Sequence, residues 1–151
     1  LNPLDASTIA RPLADTVLTP HPGEMSRLTG QPTSEIQADR IEVARHAAAR
    51  WQRVVLLKGA FSVVAAPDGR ATVLPFATSA LAKAGTGDVL AGAVGGLLAQ
   101  GLGPREAAIA AGYVHGLAGE LAAEALGPRS VTASDVLARL GRALARIEAA
   151  S

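Results

Sequence analysis

The chain has 151 residues, of which 14 are Lys or Arg and 13 are Asp or Glu, so its formal net charge is +1. This length fits one domain, and 49% hydrophobic with 18% charged residues is typical of a folded globular protein rather than a disordered one. The net charge near zero argues against an electrostatically driven nucleic-acid binder, and the lack of cysteine excludes disulfide scaffolds, thiolate metal sites and cysteine nucleophiles.

The first part of the chain predicts a strand followed by helices. Residues 16–19 are a β-branched run that residues 20–23 end, and residues 24–28 then start a short helix. A capping box formed by Ser34 and Gln37 predicts a further helix that continues to about Trp51.

The middle of the chain predicts the strands of a sheet. Residues 53–58 contain a continuous apolar run, which suits a central strand covered on both faces. Residues 61–66 and 71–76 flank a Pro-Asp-Gly-Arg turn that is typical of a hairpin. The order of these elements predicts an α/β fold in which helices pack on a sheet.

The rest of the chain is rich in Ala, Leu and Gly and predicts helices. The longest uncharged run, residues 89–104, is shorter than the ~18 residues of a membrane span, so it predicts a buried helix of a soluble, cytoplasmic protein. Gly92 and Gly96 predict close packing of that helix. A second helix is expected from Pro104 to about Leu126, and a cap of the type Thr-x-x-Asp at residues 132–135 predicts a third. The apolar positions expected on the third helix are Val136, Leu137, Leu140, Leu144 and Ile147.

The predicted helices present more apolar surface than the few predicted strands can cover. A further N-terminal portion that supplies more strands would resolve this mismatch. The hypothesis is therefore that residues 1–151 form the C-terminal part of a single larger domain, because no repeat or low-complexity linker divides them.

The strongest local signal for chemistry is the segment Gly85-Thr86-Gly87-Asp88. Glycines at the start of a helix leave backbone N–H groups free to bind a phosphate, which the helix dipole also attracts. Asp88 at that turn could accept a proton from a substrate hydroxyl beside the phosphate. The segment lacks the Lys-Ser/Thr of a P-loop and the third glycine of a dinucleotide fingerprint. Taken alone, it is equally compatible with an ordinary glycine loop.

Two further segments carry candidate ligands. His21 stands between two prolines at the end of a predicted strand, where α/β sheets bind ligands. The simpler explanation is that these residues only end the strand and start the next helix. Lys58 ends the buried strand and could reach a phosphate, and Gly59 would let a nucleotide approach the backbone. A lysine extended along a strand edge is the simpler alternative there. His46 is expected on a solvated helix face and His115 in helix packing, so the histidines give no zinc-binding spacing.

In combination, three segments resemble the ADP/ATP-dependent NAD(P)H-hydrate dehydratase family. They are Thr19-Pro20-His21-Pro22-Gly23-Glu24, Lys58-Gly59 and Gly85-Thr86-Gly87-Asp88-Val89-Leu90-Ala91-Gly92. The resemblance extends from about Leu1 to Ile147. It implies the C-terminal portion of a ribokinase-like three-layer α/β/α domain with a largely parallel central sheet.

The resemblance also implies an activity. Members use a nucleotide to phosphorylate the ring hydroxyl of hydrated NADH or NADPH, and loss of phosphate then restores the cofactor, a lyase reaction of metabolite repair. Asp88 would be the base that contacts the hydrated nicotinamide, and His21 would be a further substrate contact. The residues implied for the nucleotide are Lys58, Gly59, Ala60, Phe61, Ser62, Gly85, Thr86 and Gly87. ADP or ATP would be the phosphoryl donor with Mg²⁺, without dedicated metal-binding side chains and without a nucleic-acid or membrane partner.

Other interpretations stay open at this stage. A sugar or hydroxymethylpyrimidine kinase of the same fold would share the Gly-x-Gly-Asp segment but would leave the phosphate on its product. The Thr-Pro-His-Pro-Gly-Glu segment favours the dehydratase over such a kinase. A fragment that binds nucleotide without turnover is the non-enzymatic alternative. The sequence leaves open the choice between ADP and ATP, an upstream epimerase domain and the oligomeric state, a homo-oligomer included.

Overall fold

A computed structural model of the chain describes residues 16–150. The strands in this part are β1 (Val17–Leu18), β2 (Val54–Leu57), β3 (Val63–Ala65) and β4 (Ala71–Val73). The helices are α1 (Pro22–Thr29), α2 (Thr33–Ala38), α3 (Arg40–Trp51), α4 (Thr86–Ala99), α5 (Pro104–Leu126), α6 (Ala133–Leu137) and α7 (Leu140–Glu148), with a 3₁₀ turn at Ser79–Leu81 before α4. Within residues 16–150, no helix is long and apolar enough to cross a membrane.

The described strands form one mixed sheet in the order β1-β2-β3-β4. The pair β1–β2 is parallel, whereas β2–β3 and β3–β4 are antiparallel. The predicted hairpin is therefore confirmed, but the expectation of a largely parallel sheet holds here for β1 and β2 alone. The physical reason is that the connections after β2 and β3 are short loops, whereas a parallel crossover needs about a dozen residues or more.

Helices cover both faces of the sheet and give the three layers expected from the sequence. Side chains alternate along a strand, so Val55 and Leu57 face one side and pack with residues of α1, α2 and α3. Val54 and Leu56 face the other side and pack with α4 and α5. All four β2 side chains are buried, which explains why this strand reads as an unbroken apolar run.

Several helix boundaries follow the sequence signals. Helix α1 ends at Gly30, whose φ of 78° is the left-handed conformation of a glycine C-cap. Helix α5 begins at Pro104 and ends at Leu126, as predicted. Thr132 and Asp135 form the predicted reciprocal capping box at the start of α6.

The predicted second helix is wrong in its start and in its continuity. The N-cap of α2 is Pro32 without a side-chain cap, and Ser34 lies inside the helix, so no capping box forms. Asp39 (φ −140°, ψ 67°) then interrupts the helix, and its side chain accepts the N–H of Glu42 to cap α3. The aspartate competes with the helix for that donor, which is why one predicted helix becomes two.

The prediction of one continuous third helix is also wrong, because α6 and α7 are separate. The packed face nevertheless continues across the interruption, because the positions that pack keep a spacing of four, three and four residues: Val136, Leu140, Ala143 and Ile147. Leu137, 58% exposed, and Leu144, 46% exposed, lie beside this face. Val136 is buried as expected. Val136 and Ala143 belong to the cluster that holds both helices against α5.

The glycines that pack closely lie on α5 rather than on α4. Gly92 and Gly96 are exposed, and a Cβ added at either would meet nothing within 4 Å, so one face of α4 is open and the prediction of close packing there is wrong. A Cβ added at Gly112 or Gly116 would instead overlap the side chain of Leu74 or Phe76. The segment after β4 can therefore lie directly against the backbone of α5.

Candidate functional site

The segment after β1 fixes His21 at the N-terminus of α1. Its Nδ1 accepts the N–H of Glu24 at 3.1 Å, and Glu24 Oε2 accepts the N–H of His21 at 2.7 Å. This is a capping box with histidine in the place of serine or threonine. Since Nδ1 accepts, the proton of the neutral ring is on Nε2, which lies 3.4 Å from Glu24 Oε1. His21 and Glu24 therefore do mark the boundary between strand and helix, as the simpler explanation from the sequence proposed. Their two hydrogen bonds also hold the imidazole ring in one orientation.

Lys58 extends from the end of β2 to the glycine turn at α4. Its Nζ lies 3.4 Å from Glu24 Oε2, and a Cβ added to Gly87 would lie 3.1 Å from the same Nζ. Burial acts to raise the pKa of Glu24, but the His21 N–H and the charge of Lys58 outweigh it and lower that pKa. Lys58 therefore directs its ammonium group at the glycine turn before α4 and does not extend along the edge of a strand.

The loop that follows Lys58 is closed by its own hydrogen bonds. Ser62 Oγ accepts the N–H of Gly59 at 3.2 Å and donates to the Gly59 carbonyl at 2.9 Å. Phe61 adopts a left-handed φ of 52°, and its N–H donates to the carbonyl of Phe76 at 2.7 Å. Within residues 16–150 the N–H of Ala60 has no hydrogen-bond partner, so it remains able to bind a ligand.

The glycine turn opens α4 without a side-chain cap. Gly85 adopts φ 85°, and the buried Thr86 donates its hydroxyl to the carbonyl of Leu81 at 2.7 Å and lies 2.9 Å from that of Lys83. Within the described part of the chain the N–H of Gly87 has no hydrogen-bond partner. A free N–H at a helix N-terminus, with Lys58 Nζ beside it, is an arrangement that binds anions.

His115 on α5 is buried, as the sequence predicted, and its side chain also forms a hydrogen bond to the glycine turn at the start of α4. Its Nε2 lies 2.9 Å from the Thr86 carbonyl, and since a carbonyl only accepts, Nε2–H is the donor. Burial lowers the pKa of His115, the positive charge of Lys58 lowers it further, and the bond to Thr86 opposes both. The ring is therefore neutral in its working state.

We expect this histidine to make stability depend on pH. In the unfolded chain the imidazole has its ordinary pKa of about 6.5, whereas the folded pKa is lower, so the unfolded state binds more protons between the two values. Stability should be complete above about pH 6.5 and should fall below it, by at most about 1.4 kcal/mol per pH unit for this one group. Urea unfolding of the wild type and of H115N at pH 7.5 and about pH 5.5 measures it. An equal pH response in both proteins would contradict the assignment.

Two adjoining cavities open around these residues. The first has a volume of about 150 Å³ and lies between the loop after β2, the segment after β4 and helix α5. Its lining includes Lys58, Gly59, Ala60, Ser62, Leu74, Phe76, Thr78, Thr86, Gly87, Gly112, His115 and Gly116. The second has a volume of about 570 Å³ and lies between the start of α1 and the start of α4. Its lining includes Thr19, His21, Glu24, Lys58, Gly59, Lys83, Gly85, Thr86, Gly87, Asp88 and Ala91.

The two cavities share one wall and differ in their chemistry. Both are lined by Lys58, Gly59, Thr86 and Gly87, together with the apolar Leu81 and Ala82. Asp88 and His21 line the second cavity and not the first, whereas Ala60, Ser62 and His115 line the first and not the second. This arrangement can hold two ligands whose reacting groups meet at a phosphate-binding wall.

The structure brings together the predicted site residues, with one exception. The side chain of Phe61 is 54% exposed and lies beside Ile41 and Val73, outside both cavities. His46 is exposed, as expected. Gly112 and Gly116 line the first cavity beside His115 and were not predicted as site residues. Their spacing of four residues on one helix face was the signal available.

No group of three or more His, Cys, Asp or Glu side chains suited to a metal occurs within residues 16–150. The second cavity does contain two carboxylates, those of Glu24 and Asp88. Mg²⁺ is typically held by one or two carboxylates together with substrate phosphates, rather than by a protein cage. The residues present therefore fit Mg²⁺ that arrives bound to a nucleotide.

Residues 1–142 match a family model described as NAD(P)H-hydrate dehydratase. Among curated proteins, the chain is 48% identical over 132 residues to the bifunctional NAD(P)H-hydrate repair enzyme Nnr of Moorella thermoacetica, covering 87% of this chain and 25% of that protein. The chain thus spans only about a quarter of this relative's length.

Two solved structures illustrate the likeness in three dimensions. The ADP/ATP-dependent NAD(P)H-hydrate dehydratase of Bacillus subtilis, co-crystallised with ATP/Mg²⁺ and soaked with CoA, has a TM-score of 0.82 and 41% identity, covering 86% of this chain and 48% of that one. A hydroxyethylthiazole kinase from Pyrococcus horikoshii has a TM-score of 0.69 and 26% identity, covering 83% of this chain and 48% of that one. The predicted ribokinase-like α/β fold is confirmed by these neighbours, and the higher identity lies with the dehydratase.

Proposed function

The chain belongs to the NAD(P)H-hydrate dehydratase family. We therefore propose that the protein converts hydrated NADH and NADPH back to NADH and NADPH and consumes a nucleotide in doing so. The observation that carries the proposal is the wall of Lys58, Gly59, Thr86 and Gly87 shared by two cavities, of which only the second contains Asp88. The nucleotide would occupy the first cavity and the hydrated nicotinamide the second. Their reacting groups would meet at the shared wall.

The reaction is a phosphoryl transfer followed by an elimination. Asp88 accepts the proton of the ring hydroxyl, whose oxygen then forms a bond to the terminal phosphorus of the nucleotide. The bond between that phosphorus and its bridging oxygen breaks, and the shortened nucleotide leaves. The lone pair of the ring nitrogen next expels phosphate with its bonding electrons. Loss of a proton from the adjacent ring carbon restores the double bond.

The shared wall stabilises charge on the migrating phosphoryl group. Lys58 Nζ supplies a positive charge next to Gly87, and the free N–H of Gly87 stands at the positive end of the α4 dipole. The N–H of Ala60 is a further donor on the nucleotide side. His21 would contact the hydrated cofactor from the opposite side of the second cavity.

We include Mg²⁺ in the proposal as the companion of the nucleotide. When bound, it neutralises negative charge on the phosphate oxygens. Among the described residues, Glu24 and Asp88 are the carboxylates that line the second cavity and would assist in holding it. The Bacillus subtilis relative was co-crystallised with ATP/Mg²⁺, which supports the pairing of Mg²⁺ with the nucleotide.

The remaining parts of the proposal concern the whole protein. We propose that residues 1–151 are the C-terminal part of one longer dehydratase domain, because the chain covers 48% of the Bacillus subtilis structure. A cytoplasmic location fits substrates that are a nucleotide and a nicotinamide cofactor.

The test is incubation of the full-length protein with hydrated NADH and either ADP or ATP. The dehydratase regains the absorbance of reduced nicotinamide and releases one phosphate per cofactor. A kinase of the same fold would instead yield a stable phosphorylated product. Nucleotide binding by calorimetry with neither outcome would favour a non-catalytic binding protein and would overturn the proposed activity.

A further inference from the structure

Arg40, the first residue of α3, reaches the loop after β2 from behind. Its Nη2 donates to the carbonyl of Leu57 at 3.1 Å and to that of Lys58 at 3.2 Å. Its Nη1 donates to Gln37 Oε1 at 2.7 Å. One guanidinium therefore holds two consecutive carbonyls at the point where β2 ends and Lys58 turns towards α4.

Gly59 is shaped to admit this guanidinium. Its φ of 145° lies in the region that side chains rarely adopt, and a Cβ at this position would lie 2.9 Å from both Nη1 and Nη2 of Arg40. A residue larger than glycine would displace the arginine, the loop or both. The absence of a side chain at Gly59 thus serves the contact with Arg40 in addition to the approach of a ligand.

Among the described residues, the arginine has no acidic partner that would explain its position otherwise. Within residues 16–150 no carboxylate oxygen lies within the 4.0 Å of an ion pair, and its hydrogen-bond acceptors are three neutral oxygens. Its Nε is buried without a partner in the described residues. A buried N–H without an acceptor costs free energy. The hydrogen bonds to the two carbonyls have to offset that cost for the side chain to stay in this position.

The interruption at Asp39 places Arg40 where it can make these contacts. Asp39 caps α3, and Gln37 in the last turn of α2 accepts from the guanidinium. The two helices and the loop are thereby joined through one side chain, 17 and 18 residues from the carbonyls that it binds.

We propose that Arg40 is a positioning residue for nucleotide binding, which acts by fixing the Leu57 and Lys58 carbonyls so that Lys58 Nζ stays beside Gly87 and Ala60 stays at the first cavity. The inference rests on the proposed nucleotide site of this loop. Arg40 itself lines neither cavity, so its contribution passes through the backbone. Its planar fork is what the contact needs, because a lysine ammonium cannot reproduce that geometry.

The first experiment compares R40M and R40K with R50M in the full-length protein, by titration with ADP and ATP. Arg50 lies exposed on the same helix and provides a matched control. We expect both Arg40 variants to bind nucleotide about tenfold more weakly, with the nucleotide KM raised more than kcat is lowered, and R50M to match the wild type. Wild-type affinity in R40M would overturn the proposal. Wild-type affinity in R40K would show that charge alone matters and would overturn it as well.

The second experiment needs no nucleotide and separates this inference from the proposed function. Hydrogen exchange of the backbone amides of residues 58–62 is measured in the wild type, R40K and R50M. Faster exchange in R40K, confined to this loop and α3, supports the positioning role, whereas unchanged exchange overturns it. If the wild type binds neither ADP nor ATP, the proposed function fails, and the exchange data still decide whether Arg40 holds the loop.

Discussion

Replacement of Asp88 by asparagine should abolish turnover of hydrated NADH and leave nucleotide binding intact. Asparagine keeps the size of the side chain but cannot accept the hydroxyl proton, so we expect kcat to fall by about 10²- to 10⁴-fold. Asp88 lines the second cavity and not the first, so the dissociation constant for ADP or ATP, measured without Mg²⁺ so that the proposed metal contact of Asp88 does not contribute, should change less than about twofold. Recovery of reduced-nicotinamide absorbance and calorimetric titration measure the two effects in the full-length protein.

The matched control for this variant is E124Q, which removes one carboxylate from an exposed position near the end of α5. It should behave as the wild type in both measurements. Near-normal turnover in D88N would remove Asp88 from its proposed role as base. Loss of nucleotide binding in D88N would contradict the assignment of the two ligands to separate cavities.

Replacement of Lys58 by methionine should have its largest effect on nucleotide affinity. Lys58 Nζ is the cation beside Gly87, and its removal also takes from the Glu24 carboxylate its lysine partner, leaving only the contacts with His21. The lost attraction between Lys58 and the phosphate and the repulsion between the Glu24 carboxylate and the phosphate both weaken nucleotide binding. We expect affinity for ADP or ATP to fall by about 10- to 100-fold, because a contact between a cation and a phosphate is among the stronger hydrogen bonds.

The comparison variant is K83M, because Lys83 lines the second cavity but not the first. It should retain nucleotide affinity within about twofold while its effect, if any, falls on the cofactor substrate. Titrations of both variants at low and high salt add a second readout, since the difference between K58M and the wild type should shrink as salt screens the charge. Equal losses of affinity in K58M and K83M would show a general field effect and would contradict a specific role for Lys58.

The fold could be predicted where a single local signal decides the outcome. The apolar run of β2 is long enough for a strand and too short for a helix, and the hairpin turn leaves only one way to join its neighbours. Pro104 and Gly127 bound α5 by their own backbone preferences. The interruption at Asp39 was not predicted, because Ser34 and Gln37 match the sequence pattern of a capping box as well as Asp39 and Glu42 match that of an N-cap.

The residues that we propose as ligand contacts could be identified from the sequence, whereas the residues that hold them in position could not. The segments of His21, Lys58 and Asp88 each show their chemistry locally, and the resemblance to a family joined them. Arg40 contacts carbonyls 17 and 18 residues away, and His115 contacts a carbonyl 29 residues away. A backbone carbonyl carries no mark in the sequence, so no spacing rule could pair it with an arginine or a histidine.

The glycines of α5 have a consequence for how the first cavity can adapt. The side chains of Leu74 and Phe76 lie against Gly112 and Gly116, where a Cβ would overlap them, so this side of the cavity consists of two apolar side chains laid on helix backbone. The helix has no rotamer to change at these two positions, so a guest of different shape can be accommodated there only by movement of Leu74 and Phe76. Both residues belong to the connecting segment after β4, which places the capacity for adjustment in a connecting segment rather than in the helix.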